Sequence, residues 1–158
     1  MHKTNVTAVA VLSVFLAMLI FVPRQVRGQV DAAEMKKFQG TWKMVSAEMD
    51  GKKVKDEHVQ KSIIMYKGDK VKIYTPHQHK DTITATITKF DLTKDPRMMY
   101  WLRDVGPKAG KTMSAIYRFE GTEKIQVCFD PSMAVVPGKF GTDAGSGHIW
   151  HTWKRVKK

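Results

Sequence analysis

The chain has 158 residues, 42% of them hydrophobic, and a single cysteine. That length suits one domain with a leader, the apolar content excludes a disordered chain, and one cysteine excludes an intrachain disulfide. Lys and Arg number 27 against 15 Asp and Glu, a net charge of +12. Such a balance favours encounter with lipid headgroups, acidic polysaccharides or nucleic acid without choosing among them, and it equally describes a solvated, lysine-rich surface.

The first 28 residues read as a secretory signal or an N-terminal anchor. A weakly basic start containing Lys3 precedes a 17-residue uncharged run over 6–22, and Pro23, Arg24 and Arg27 follow it. That is the layout of a signal peptide, with small residues suited to cleavage at Gly28 or Ala32. The run is long for a signal and short for a spanning helix, so an uncleaved anchor is the alternative. No cysteine follows to accept a lipid. Either way residues 29–158 form the domain, which keeps 24 cations against 15 acids and is expected outside the cytoplasm: periplasmic, secreted or held at the cell envelope.

Residues 31–38 predict a short helix with acids at its start and lysines at its end, matching the helix dipole, and Gly40 stops it. From there the pattern changes to strands. Gly40–Met49 is rich in β-formers and ends at the Asp50-Gly51 turn signal. Residues 52–60 are polar and read as a loop with a turn of helix. Strands follow at 62–66, 70–74, 82–88, 97–102, 112–119, 124–129 and 148–155, separated by turns at 67–69, 76–80, 95–96, 106–110 and 120–122 and by a long Gly/Pro-containing loop after Phe129. In 82–88, Ile83, Ala85 and Ile87 alternate with four threonines, the mark of a half-buried strand. Eight short strands joined mostly by tight turns predict an antiparallel up-and-down meander. Closing it into a barrel hides its edges; a two-sheet sandwich is the competing arrangement.

Several stretches carry a family resemblance. Gly40-Thr-Trp42 behind a short helix is similar to the Gly-x-Trp opening of lipocalins. Residues 39–48 with Asp50-Gly51, Gly68-Asp69, Gly110-Lys111 before Ile116-Tyr117, and 125–129 resemble the uncharacterised lipocalin-like domain family of exported planctomycete proteins. Pro137, Phe140, 145–148 and Lys154-Arg155 complete the likeness, which covers roughly 37–155. The resemblance implies an eight-stranded lipocalin-like barrel outside the cytoplasm, and a Trp42 that plugs its closed end. It implies no activity and carries over no catalytic residue.

The residues themselves offer little chemistry. There is no Gly-x-Ser-x-Gly elbow, no phosphate-binding loop and no carboxylate pair placed for acid–base work, so no catalytic residue is expected and no enzyme. Cys128 sits in an apolar alternating run and reads as a small core residue. His77 and His79 could chelate a metal on a strand, but they fall in a turn with no third ligand in view; no metal and no cofactor are expected. His148 and His151 face opposite sides of their strand, and His151 shares a face with Ile149 and Trp153 as an interior histidine.

Met and aromatic side chains suit an adaptable cavity as well as a filled core. The expected ligand-binding lining is Met44, Tyr100, Met113, Tyr117 and Trp153. The leading expectation is therefore a non-catalytic barrel holding a small apolar or amphipathic ligand. The alternative is a cell-envelope interaction module with a filled core, whose basic face holds an anionic polymer or a membrane surface. Nucleic acid is not expected as a partner.

Overall fold

A computed structural model describes residues 30–76, 78 and 80–157. The leader and the pair His77 and His79 lie outside the described residues. The chain begins with helix α1 (Ala32–Phe38), whose N-cap is Asp31: its carboxylate accepts a hydrogen bond from the Glu34 N–H at 2.7 Å. Lys36 and Lys37 occupy its last turn, where cations complement the dipole.

The strands are β1 (Gly40–Met49), β2 (Lys52–Lys53), β3 (Ile63–Lys67), β4 (Lys70–Tyr74), β5 (Ile83–Asp91), β6 (Arg97–Val105), β7 (Thr112–Glu120), β8 (Lys124–Phe129) and β9 (Ile149–Arg155), with a short helix α2 (Asp56–Gln60) between β2 and β3. From β3 to β9 each strand pairs antiparallel with the next, β3 pairs with β1, and β1 pairs with β9. Eight strands thus close into an antiparallel barrel, with β2 a two-residue addition beside the end of β1. Closure, not a sandwich, removes the open edges.

Two strands run further than their apolar pattern suggested. β5 continues to Asp91 because a bulge between Ile87 and Lys89 resets the alternation, so Phe90 again points inward. β6 continues to Val105, which carries Arg103 into the barrel on the same face as Met99 and Trp101. A further bulge between Met44 and Ser46 switches β1, so that Trp42, Met44 and then Ala47 face inward.

The lower end is closed by α1. Phe38 is fully buried, and its ring meets Tyr66, Phe90, Tyr117 and Phe119 at centroid separations of 4.9–5.3 Å. Trp42 packs beside Phe119, and its indole N–H donates to the Phe38 carbonyl at 2.6 Å. The Arg155 guanidinium covers the other side of Trp42, 4.1 Å from the ring centre. It also donates to the carbonyls of Lys37, Gln39 and Thr122. Glu34, 3% exposed, fixes the helix to the opposite wall. It accepts from the Tyr117 hydroxyl at 2.9 Å and from Lys37 at 2.6 Å, and pairs with Arg97 at 3.3 Å. A buried carboxylate is tolerated because it has these partners.

The loop between β8 and β9 makes a second, outer layer. Ile116, Cys128 and Trp150 are successive cross-strand partners on the outside of the sheet, and the loop lies over them. Its Pro137 is buried, Phe140 stacks on Arg118 at 4.4 Å, and Thr142 donates twice to Glu48. Cys128 is buried in this outer layer, its sulfur 3.5 Å from the Gly141 carbonyl oxygen. Burial pushes its thiol up to about 11, which disfavours the reactive thiolate.

Two outcomes follow from this packing. Phe38→Ala removes the ring on which four others rest and should cost about 3–5 kcal/mol, read as a lower denaturation midpoint at unchanged slope. A loss below about 1 kcal/mol would mean that α1 does not close the barrel. Cys128 should resist alkylation at pH 8 in the folded protein and react promptly in denaturant; equal rates in both states would contradict its burial.

Candidate functional site

The upper half of the barrel is hollow. A cavity of about 330 Å³ opens between the β4–β5, β6–β7 and β8–β9 connections. Its wall is built from inward positions of the strands: Ile64 and Tyr66 of β3, Ile73 of β4, Ile83 of β5, Trp101 and Arg103 of β6, Met113 of β7, Val127 and Phe129 of β8, and Ile149, His151 and Trp153 of β9. Thr75, Gln78, Pro107, Lys108 and Pro131 form the rim. The Lys108 ammonium donates to the Pro131 carbonyl and ties two rim loops together. Gly106 starts its loop at a φ of 101°, and a Cβ there would meet Cγ1 of Ile83 at 3.2 Å. Glycine therefore lets this loop lie close against the wall.

The register sets which side chains reach the cavity. Tyr66, Val71, Ala85 and Arg103 are successive cross-strand partners over β3 to β6. The two long ends of that row line the cavity and the two small middle members do not. On the opposite wall, Phe129, His151 and Trp153 meet edge to face, with centroids 5.4 Å apart in each pair. Burial pushes the Tyr66 phenol far above its ordinary value and draws the Arg103 guanidinium down.

The five lining residues expected from the sequence divide. Met113 and Trp153 line the cavity. Met44 points inward but is packed in the filled part of the barrel, 2% exposed. Tyr117 also points inward, at the closed end, where its hydroxyl is bound to Glu34. Tyr100 is a correction. In β6 the inward positions are Met99, Trp101 and Arg103, so Tyr100 lies on the outside, beneath the Lys89 ammonium at 5.6 Å. Both faces of that strand are apolar, and composition could not tell them apart.

The residue that sequence reading missed is Arg103. Ending the strand at Leu102 left it unassigned, between the strand and the turn at 106–110. Extending the alternation of Met99 and Trp101 by one step would have placed it inside. His151 is interior, with Ile149 and Trp153 on its face, while His148 lies outside the strand. Among the described residues no group of three or more His, Cys, Asp or Glu side chains is placed to hold a metal ion. Nor, among them, is any helix long and apolar enough to cross a membrane.

A separate groove of about 940 Å³ lies outside the closed end, with Lys37, Arg97, Arg118, Lys139 and Arg155 around it against one acid, Asp95. Most of these cations already have partners. Lys37 and Arg97 sit on Glu34, Lys139 is 2.9 Å from Asp143, and Arg155 is spent on carbonyls and Trp42.

Compared with known proteins, the chain matches no family model and no curated protein.

The two hollow-wall tryptophans give a direct reading of the cavity. A small neutral aromatic such as naphthalene should quench or shift their emission. Val127→Phe, which fills the cavity, should weaken that binding about tenfold, or 1.4 kcal/mol, whereas Tyr100→Ser should change it less than about twofold. Equal effects of the two substitutions would place the probe elsewhere.

Proposed function

We propose that the chain is an exported, non-catalytic, lipocalin-like barrel that takes a small apolar or amphipathic ligand into its upper cavity. The observation that carries this reading is the shape of the interior. A floor sealed by Phe38 and Trp42 lies beneath an open cavity of about 330 Å³ walled mainly by Ile, Met, Phe and Trp side chains. Apolar concavities of this size with a few polar groups are where small ligands bind. Each buried methylene contributes about 0.8 kcal/mol, so a modest alkyl chain suffices for useful affinity. The lipocalin likeness draws support from the Gly40-Thr-Trp42 opening behind a short helix and from Arg155 stacked on Trp42. Export draws support from the charge and apolar pattern of residues 1–28.

A second reading rests on the closed-end groove: an envelope module holding an anionic polymer or membrane surface by its basic face. The internal pairing of Lys37, Arg97 and Lys139 leaves this groove less free charge than its composition suggests, so the cavity takes precedence.

The test is native mass spectrometry on the exported form recovered from a bacterial host expressing the full chain. An adduct of a few hundred daltons, lost on denaturation, is the expected result and would define the ligand class. A clean apo mass, together with polyanion binding that collapses as salt rises, would move the function to the basic face.

A further inference from the structure

The cavity has an unusual charge balance for an apolar chamber. Among the described residues its lining contains Arg103 and Lys108 and no Asp or Glu. Lys108 is at the rim and engaged with Pro131. Arg103 is inside, only 8% exposed. Among the described residues, its side chain has no ion pair and no hydrogen bond. An arginine keeps its charge at all ordinary pH, and its guanidinium nitrogens, which are not among the fully buried polar atoms, face the open chamber. The contrast with Glu34 is instructive: that buried charge, on the floor, has three partners.

The other unmet groups around the cavity are also donors. Nε1 of Trp101 and Nε2 of Gln78 are buried with no hydrogen-bond partner among the described residues. A neutral hydrocarbon would leave all of these unsatisfied. An anionic group rich in lone pairs would give the Arg103 charge a partner.

We propose that the cavity's ligand is a small monoanionic amphiphile, with a carboxylate or similar head paired to Arg103 and an apolar tail against Met113, Val127 and Trp153. This rests on the cavity reading above and specifies its ligand class. Arginine meets a carboxylate through two parallel N–H···O bonds, which fixes orientation as well as charge. The volume equals about eleven times the ~30 Å³ share of a liquid water, which suits an acid of about a dozen non-hydrogen atoms. Arg103 is then an anchor left unpaired until ligand arrives.

Decanoate and decan-1-ol, matched in chain length and differing in charge, provide the test. Binding to the full-chain product is measured calorimetrically at high salt, where rim and surface charges are screened. The expected result is decanoate at least tenfold tighter than decan-1-ol on the unmodified protein. In Arg103→Met that preference should vanish, with decan-1-ol bound as well as before or better. Lys108→Met should keep the preference within twofold. Arg103→Met should also melt no lower than the unmodified protein without ligand, since it removes no ion pair and no hydrogen bond of the described residues; a lower melting temperature would give Arg103 a structural role and overturn the anchor. Equal binding of acid and alcohol to the unmodified protein would overturn the anionic ligand while leaving the cavity reading intact, and needs no variant. A preference lost in Lys108→Met but kept in Arg103→Met would move the anchor to the rim. Binding of neither compound, nor of naphthalene, would sink the cavity reading and this inference with it.

Discussion

Everything in this barrel depends on how its floor is sealed. Eight strands enclose a channel, and a channel becomes a container only when one end is blocked. Here a seven-residue helix does it, held by one buried aromatic and one buried carboxylate. Phe38 supplies area and ring contacts on four sides. Glu34 supplies direction, because its bonds to Tyr117 and Arg97 reach across to β7 and β6. Trp42 and Arg155 then join the helix to both strands of the closing seam. So short a helix would be marginal alone; its packing against the sheet holds it.

Above that floor the interior opens into the cavity. Val71 and Ala85 sit between Tyr66 and Arg103 in one cross-strand row, and it is the two long ends of that row that line the cavity. The same row sets the electrostatics. Strand alternation brings a cation into a chamber whose lining, among the described residues, holds no acid. The floor shows how this fold treats a charge that serves structure: it is surrounded by partners. In the chamber Arg103 has no such partner among the described residues.

The outer face follows a different logic. The long loop after β8 folds back over Ile116, Cys128 and Trp150 and is fastened by Thr142 on Glu48 and by Gly147 on Asp50. It thickens the wall at the seam where β1 meets β9. Cys128 is consumed in that layer as a small buried side chain, in keeping with a thiol raised by desolvation.

Much of the architecture was legible in the residues. Period-two alternation in 82–88 and 70–74, the turn signals at Asp50-Gly51 and Gly68-Asp69, and the acid-to-lysine order of the first helix are local features, and local physics set them. The eight-strand count and the antiparallel meander followed from these alone. The candidate site was only half legible. Met113 and Trp153 line the cavity, and their strands have one clearly apolar face. Tyr100 was misassigned because Met98, Tyr100 and Leu102 are as apolar as the opposite face, and Arg103 was missed because a charge looked like the end of a strand. Sequence by itself determined where strands begin, turn and alternate. Only the tertiary structure decided which face of β6 turns inward and which inward residues meet a neighbour or a void. Those depend on cross-strand register and on the bulges in β1 and β5, and a one-residue slip in register exchanges inside for outside.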